Sequence, residues 1–356
     1  MTKKPKHYFA GGNTPSGFAD YFEGIVPRAE AEHFYCIKGG PGVGKSTFMK
    51  RAGERCEKEG YTVEYFHCPS DPRSLDGVFI KELKVAYVDG TAPHIKDPEY
   101  PGAVDTIIDF GAFFNTDELK KNRKEIICLT DAVSERFANA KSKLKPVGII
   151  FNNVERIYEK DKNSKNIISL CHKLASDIFG DSRGTNGGVR KLFLTALTPD
   201  GIINYAGETL KCEKTYILDA VCGDCSKEIM KYLADEAARR EIYAELFYCP
   251  LDPFGKIDHI YLPGSDTAIT VSNSYHLNMG EGRRYDLSDC FYGGTDKEAL
   301  SRAMETVDEL LAKCEDELYE AREMHSRLEK YYMGAMDYEK ATAAAMATLE
   351  KHLSNQ

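Results

Sequence analysis

Residues 37–47 read Ile-Lys-Gly-Gly-Pro-Gly-Val-Gly-Lys-Ser-Thr. From Gly39 to Ser46 this stretch fits the phosphate-binding loop pattern of a Gly, four other residues, Gly-Lys, and Ser or Thr. Such a loop must turn several backbone N–H groups inward, and glycine permits both the unusual dihedrals and the close approach of an anion. The stretch therefore predicts a site for a nucleotide phosphate chain.

Each residue type in the pattern has a chemical task. Lys45 is predicted to reach the β- and γ-phosphates, and Ser46 to place its hydroxyl on Mg²⁺. The helix that follows offers its N-terminal N–H groups and its dipole to the same anion. The predicted nucleotide-binding residues are Gly39, Gly40, Pro41, Gly42, Val43, Gly44, Lys45, Ser46 and Thr47.

The surroundings of the loop support this interpretation. Residues 33–37 form a short apolar run typical of a strand, and after the loop Phe48, Met49, Ala52 and Cys56 recur at helical spacing. Strand, glycine loop and helix is the setting that the pattern requires. An ordinary glycine-rich turn is the alternative, and this context disfavours it.

A second candidate segment begins at Val85 and ends at Asp89. Its four apolar residues predict a buried strand, and the carboxylate at its end is predicted to orient Mg²⁺ through water. Many buried strands end in Asp at a turn, which is the structural alternative. Beside the glycine loop, we interpret Asp89 as the acid on the metal side, so that Lys45 and Asp89 are the predicted catalytic residues and Ser46 and Asp89 the metal-side ones.

Composition limits the class of protein. The chain has 356 residues, enough for about two domains, and a formal net charge of −9, which argues against a broad nucleic-acid-binding surface. Its 11 Cys are scattered, and no secretory segment or apolar run long enough to span a bilayer is visible. We expect a soluble cytoplasmic protein with reduced thiols.

The sequence contains an internal repeat. Residues 65–72, Tyr-Phe-His-Cys-Pro-Ser-Asp-Pro, recur 181 positions later as Leu-Phe-Tyr-Cys-Pro-Leu-Asp-Pro at 246–253. Further matches continue upstream at an offset of 184 and downstream at 182, where Asp76 pairs with Asp258. Matches at nearly constant offset over separated blocks predict a tandem duplication. We place a P-loop domain with an intact loop at 1–184 and a degenerate copy at 188–356.

The predicted fold is α/β: two P-loop-like domains, each a mainly parallel sheet flanked by helices and extended by a long helical hairpin. Leu75–Leu83 is predicted to be helical. Charged helical patterns cover 116–179, interrupted by Pro146 and turning at 160–165, and return from Thr295 onward. The second hairpin is predicted to pack on the first or on another subunit, so self-association or a protein partner would use the hairpins.

The second copy has lost the chemistry of the first. Residues 220–227 read Ala-Val-Cys-Gly-Asp-Cys-Ser-Lys, so the lysine position holds Ser226, and Val271 replaces the strand-end acid. A carboxylate at Asp224 is predicted to repel phosphate. Cys222 and Cys225 form a Cys-x-x-Cys at a helix start, where a lowered thiol pKa would suit a redox pair. Two small residues filling a vacated loop is the simpler alternative, and zinc would need two more ligands.

With these motifs in view, the chain resembles a bacterial family of tandem P-loop proteins usually labelled ATPases. The resemblance covers nearly the whole length and rests on four segments, which are residues 9–14, 38–47, 68–72 and 89–94. It implies ATP binding and a doubled P-loop domain, without an established substrate. The degenerate second loop departs from a two-site pattern and leaves one active site per chain.

Three functions are compatible with the sequence. The first is an ATPase or nucleotide-driven switch that binds ATP with Mg²⁺, although Gly90 stands where many ATPases place a catalytic Glu. The second is a kinase in which Asp71 or His94 faces an acceptor hydroxyl. The third is a nucleotide-binding scaffold without turnover. An arginine finger from Arg283 or Arg284 of the second copy is a further hypothesis.

Overall fold

The computed structural model describes residues 4–92, 95–276 and 280–354. Within them the chain forms a mixed α/β fold with two six-stranded sheets flanked by helices. The first half contains β1 (Lys6–Phe9), β2 (Gly11–Thr14), β3 (Gly17–Asp20), β4 (His33–Lys38), α1 (Lys45–Lys58), β5 (Val63–Cys68), β6 (Asp71–Ile80), β7 (Val85–Asp89), β8 (Asp105–Asp109), α2 (Thr116–Lys121), α3 (Arg123–Glu159) and α4 (Ser164–Phe179).

The second half contains β9 (Val189–Leu192), β10 (Thr195–Thr198), β11 (Gly201–Asn204), α5 (Ala206–Thr209), β12 (Lys214–Asp219), α6 (Ser226–Arg239), β13 (Ala244–Cys249), β14 (Asp252–Leu262), β15 (Thr267–Ser272), β16 (Arg283–Asp286), α7 (Lys297–Met333) and α8 (Tyr338–Leu353). Strands and helices occur along the chain in nearly the same order in the two halves. Small hairpins, β2–β3 and β10–β11, follow the first strand of each half.

The two large sheets share one strand order. The first runs β1-β5-β6-β7-β4-β8, and the second runs β9-β13-β14-β15-β12-β16. Three pairings in each are parallel, and β6 and β14 run antiparallel to both neighbours. The predicted α/β class is confirmed, but each sheet is mixed because a direct turn joins β5 to β6, which forces β6 to run back along its neighbour.

The parallel strands place the candidate site at one edge of the first sheet. β4 lies between β7 and β8, and all three run in the same direction. Ile37 in β4 is directly opposite Asp89 in β7. The glycine loop (residues 39–46) therefore begins beside the carboxylate that ends the neighbouring strand, at the edge where open α/β sheets bind ligands.

The predicted helix over Leu75–Leu83 is wrong, because this segment belongs to β6, which ends at Ile80. Apolar residues at positions 75, 78, 79 and 83 imitate helical spacing. The strand lies inside the sheet, and residues 75–80 are buried without alternation. A strand covered on both faces loses the two-residue period that distinguishes strands from helices.

The two helical hairpins are confirmed, but Pro146 does not interrupt the first one. α3 and α7 each have 37 residues, and α4 and α8 each have 16. Pro146 lies inside α3 without ending it, and the turn at 160–163 falls where the sequence places it. Pro146 is flanked by Leu144 and Val147, which are buried against α7. Packing on both sides of the proline compensates for the backbone hydrogen bond that it removes.

Each half is completed by the other half's hairpin. α4 contributes Ile167 and Leu174 to the core of the second sheet, and α8 contributes Ala345 and Leu349 to the core around α1. α3 and α7 pack lengthwise, with Glu317 of α7 paired to Arg136 at 3.1 Å. The second hairpin therefore packs both on the first hairpin and on the first half, as the first of the two predicted arrangements had it.

The two halves also share a backbone contact and a buried ion cluster. Phe9 and Phe193 exchange N–H···O bonds of 2.9 and 3.0 Å. Arg190 contacts Glu64 of the first half at 2.6 Å and Glu245 of the second half at 3.2 Å.

None of the helices in the described ranges is long and apolar enough to cross a membrane.

One histidine at this junction makes folding sensitive to acid. The His67 ring contacts His7 at 2.9 Å and the Pro72 carbonyl at 2.8 Å, and it packs on Tyr205 of the second half. Burial lowers the pKa of His67 from 6.5 to about 4. The unfolded chain therefore takes up a proton as the pH falls below about 6.5, whereas the folded chain does so only near 4, so stability is lost across this window.

We predict that His67→Gln flattens this acid dependence. The contribution of His67 to the loss between pH 7 and 4 is on the order of 3 kcal/mol, at 1.36 kcal/mol per unit of pKa difference. Urea unfolding at pH 7.5 and 4.5 measures it. His172→Gln, at an exposed position of α4, is the control and should keep the wild-type slope. Equal slopes for both variants would show that His67 is not the responsible group.

Candidate functional site

The glycine loop joins β4 to α1 through backbone that only glycine adopts easily. Gly42 and Gly44 have φ values of +68° and +94°, in the left-handed region. Gly44 is the N-cap of α1, and its position offers no side chain to the helix. The first N–H groups of a 14-residue helix thus face the loop without a side-chain acceptor at the cap.

Lys45 folds back over the loop that precedes it. Its Nζ donates to the carbonyls of Gly39 at 3.1 Å and Gly40 at 3.0 Å. The same ammonium lies 3.3 Å from Oδ2 of Asp89. Only 8% of Lys45 is exposed, so the loop holds a buried positive charge at its centre. The carboxylate of Asp89 partly offsets this charge, while the ammonium keeps its contacts with two neutral carbonyls that an anion could replace.

Asp89 is fixed by the turn that follows β7. The backbone N–H and the hydroxyl of Thr91 donate to its Oδ1 at 3.0 and 2.6 Å. Oδ2 is left to face Lys45, whose ammonium also contacts the Thr91 hydroxyl at 3.3 Å. The structure thus brings Lys45 and Asp89 together and adds Thr91, which belongs to the 89–94 segment noted in the sequence.

The remaining loop residues take different positions. The Ser46 hydroxyl accepts a bond of 2.9 Å from the Leu75 N–H of β6. Val43 is buried in the core beneath the loop, whereas Pro41 is half-buried and Thr47 exposed. The Ser46 oxygen keeps a second lone pair, so its bond to β6 orients the hydroxyl without using all its capacity.

The hairpin of the second half lies directly on the glycine loop. The Tyr338 hydroxyl donates to the Gly42 carbonyl at 2.6 Å. A Cβ on Gly40 would lie 2.7 Å from the Tyr332 ring, and a Cβ on Gly42 would lie 2.9 Å from Cβ of Glu329. The glycines thus allow α7 and α8 to approach the loop backbone as closely as a ligand would. No local pattern in the sequence indicates these contacts.

α7 also brings titratable groups to the site. His325 Nδ1 lies 3.7 Å from Glu329 Oε1 on the same helix. Burial lowers the pKa of His325, the Glu329 carboxylate opposes this shift, and the positive charge of Lys45 adds to it. The second half thus brings an imidazole within electrostatic range of Lys45, and the sequence did not single out His325.

Other candidates from the sequence are placed as follows. Asp71 contacts Arg73 at 3.0 Å and accepts from the Ser74 hydroxyl at 3.0 Å. His94 lies outside the described residues. Arg283 pairs with Asp177 at 3.0 Å, and Arg284 pairs with Asp219. These two pairs lie at the β16 side of the second sheet, so neither arginine's ion pair involves the glycine loop.

In the second half, the corresponding loop (residues 220–227) is closed by its own side chain. Asp224 accepts 2.9 Å bonds from the N–H groups of Val221 and Ser226. The carboxyl is buried, which raises its pKa. The sequence placed this carboxylate toward a phosphate position; in the structure it bonds within the loop, satisfying backbone donors that an anion would otherwise meet.

The lysine and the two cysteines of this second loop are held by contacts within the protein. Lys227 contacts Glu155 of α3 at 3.0 Å and Asp252 at 2.9 Å. Burial raises the pKa of Cys222 to about 11, and a hydrogen bond with Cys290 followed by burial raises that of Cys225. The predicted lowering of thiol pKa at this helix start is therefore wrong, because burial outweighs the helix dipole.

Comparisons with protein-family models, with curated proteins and with solved structures found no match.

The contact between α7 and the loop can be tested by a pair of substitutions. Gly40→Ala forces the Tyr332 ring to move and should cost about 1–3 kcal/mol of unfolding free energy. In a Tyr332→Ala background the same change should cost less than about 0.5 kcal/mol, because the obstructing ring is gone. Urea unfolding of the four proteins measures the coupling.

Gly207→Ala is the matched control, since nothing lies within 4 Å of the Cβ it would add. It should change stability by no more than about 0.5 kcal/mol. A Gly40→Ala cost that persists unchanged without the Tyr332 ring would contradict the packing of α7 on the loop.

Proposed function

We propose that the chain binds ATP with Mg²⁺ in its first half and hydrolyses it, as a nucleotide-driven switch with one active site per chain. The observation that carries this proposal is the placement of Lys45. Its ammonium is held inside the glycine loop, at the start of a helix and 3.3 Å from the acid that ends the adjacent strand. This is the arrangement that triphosphate recognition requires.

Lys45 would bind a phosphate chain more strongly than it binds the two carbonyls it now contacts. Lys45 is bonded to the neutral carbonyls of Gly39 and Gly40, and the first N–H groups of α1 point toward the same region. Charge-assisted bonds to phosphate are about twice as strong as bonds to neutral groups. An incoming triphosphate can therefore replace the two carbonyls at the ammonium, while Asp89 and Ser46 supply oxygens for the hydration shell of Mg²⁺.

We further propose that the two halves are a tandem duplication and that only the first copy binds nucleotide. The shared strand order and equal hairpin lengths support the duplication. α1 begins at Lys45 and α6 at Ser226, which is the offset of 181 found in the sequence. Asp224 already accepts hydrogen bonds from two backbone N–H groups of the second loop. These N–H groups are therefore not free to bind a phosphate.

The switch would act through α7 and α8. Tyr338 is bonded to the Gly42 carbonyl, and Tyr332 lies on Gly40. A phosphate chain that reorders the loop carbonyls would disturb these contacts directly. Because α7 packs along α3, a displacement at the loop would be passed to the hairpin of the first half.

The test is ATP binding and phosphate release in the presence of Mg²⁺, comparing wild type with Lys45→Ala. We expect wild-type turnover, and a loss of about 10- to 100-fold in ATP affinity for the variant, as befits one charged hydrogen-bonding group worth about 1.5–3 kcal/mol. Phosphate release should fall to background. Binding is read as the rise in melting temperature with ATP concentration.

Lys227→Ala is the matched control, a lysine at the corresponding helix start of the second half. It should leave both binding and release unchanged. Binding that depends on Lys45 without phosphate release would replace hydrolysis by transfer to an acceptor or by a scaffold function. Failure of the wild type to bind any nucleoside triphosphate would refute the proposal.

A further inference from the structure

A second group of reactive side chains lies in the other half of the molecule. Cys249 ends β13, Asp258 lies in β14, and His276 follows β15. His276 Nε2 is 2.9 Å from Asp258 Oδ2 and 3.8 Å from Cys249 Sγ. All three side chains are buried, with 4%, 1% and 2% of their surfaces exposed.

The donor atoms converge on one point. The sulfur, the imidazole nitrogen and a carboxylate oxygen all lie within 4.8 Å of one another. Ligands of a tetrahedral zinc ion, with bonds of about 2.0–2.3 Å, lie about 3.3–3.8 Å apart. The Nε2–Sγ distance of 3.8 Å already matches this spacing, and the 2.9 Å between Nε2 and Oδ2 must widen by a few tenths of an ångström for the three atoms to share an ion.

The arrangement differs from that of a nucleophilic cysteine with its base. In such a site the acid orients the imidazole from the nitrogen opposite the thiol. In this cluster Asp258 and Cys249 both face Nε2 of His276. The other ring nitrogen, Nδ1, lies 3.1 Å from the Thr195 hydroxyl. A ligating histidine is characteristically held in this way, through the nitrogen that does not bind the metal.

We propose that Cys249, Asp258 and His276 form a binding site for a divalent transition metal of the zinc class. Thiolate, imidazole and carboxylate together suit zinc and its neighbours, and do not suit Mg²⁺ or Ca²⁺. Binding releases the thiol proton of Cys249 to solvent, and the thiolate and carboxylate then match the two charges of the ion.

Lys256 is a nearby cation that the ion must tolerate. Its ammonium lies 3.2 Å from Oδ1 of Asp258, the oxygen that does not face His276. Lys256 also interacts with the negative charge of Asp224 beneath the second loop. A metal at Oδ2 thus leaves Lys256 with two acidic partners.

The fourth coordination position faces a cleft. Cys249 and His276 line a cavity of about 260 Å³ between α3 and the second half, together with Lys145, Phe151 and Asn273. Three protein ligands and an open position beside a cavity is the arrangement of metal sites that bind water or a small ligand. The first half carries Cys68, Asp76 and His94 at nearly the same spacing in the sequence.

The experiment is titration of the reduced full-length protein with Co²⁺, which reports thiolate ligation by a sulfur-to-metal charge-transfer band. We expect the band in the wild type and loss of one equivalent of bound metal in Cys249→Ala. Cys314→Ala, which removes an equally buried thiol from α7, should bind as the wild type does. Circular dichroism and Lys45-dependent ATP binding establish that each variant is folded.

A second variant tests the positioning of His276. Thr195→Val should weaken Co²⁺ binding by about 10- to 100-fold, as for other groups that orient a ligating histidine. Thr198→Val, in the same strand β10 and equally buried, should leave the affinity unchanged. Absence of the charge-transfer band in the wild type, or metal binding that Cys249→Ala leaves intact, would overturn the proposal.

Discussion

The two halves are held together by a guanidinium buried between two carboxylates. Arg190 reaches Glu64 in the first sheet and Glu245 in the second, and its Nε and Nη2 also donate to the carbonyls of Gly24 and Ile25. Glu64 is fully buried, so its charge depends on this arginine. Removing one partner of such a cluster costs about 3–5 kcal/mol, since it leaves a charge without compensation in a dry interior. The cluster therefore holds the two sheets in a fixed relative position. Contacts between the two halves depend on that position.

The candidate nucleotide site is one of the structures built across this junction. Lys45 and Asp89 come from the first half, while Tyr338 of the second half bonds to the Gly42 carbonyl of the same loop and His325 lies within electrostatic range of Lys45. The cleft beside Cys249 lies in the second half, and α3 of the first half forms one of its walls. Each half thus covers a candidate site of the other. A ligand at either place would contact groups from both halves. It could therefore displace α3 or α7, which pack on each other.

The sequence predicts what depends on local chemistry and fails where distant packing decides. The glycine loop, the strand ending at Asp89 and the two hairpins are recognisable because spacing and residue type define them. The pattern of β6 predicts a helix, because a strand covered on both faces has no two-residue period. Pro146 predicts an interruption of α3, but packing on α7 preserves the helix. The contact of Tyr332 with the loop has no sequence signal, since it joins segments nearly 300 residues apart.

The exchange of hairpins has a consequence for the order of events during synthesis. α8, residues 338–353, covers α1 of the first half and is the last described helix of the chain. A growing chain can form β4 and α1 early, but Phe48 and its neighbours must wait for Ala341 and Leu349 to complete their core. Such distant contacts slow folding and prolong the exposure of apolar surface. The core around α1, which includes Val43 of the glycine loop, is therefore completed only after α8 has been synthesised, well after the first half itself.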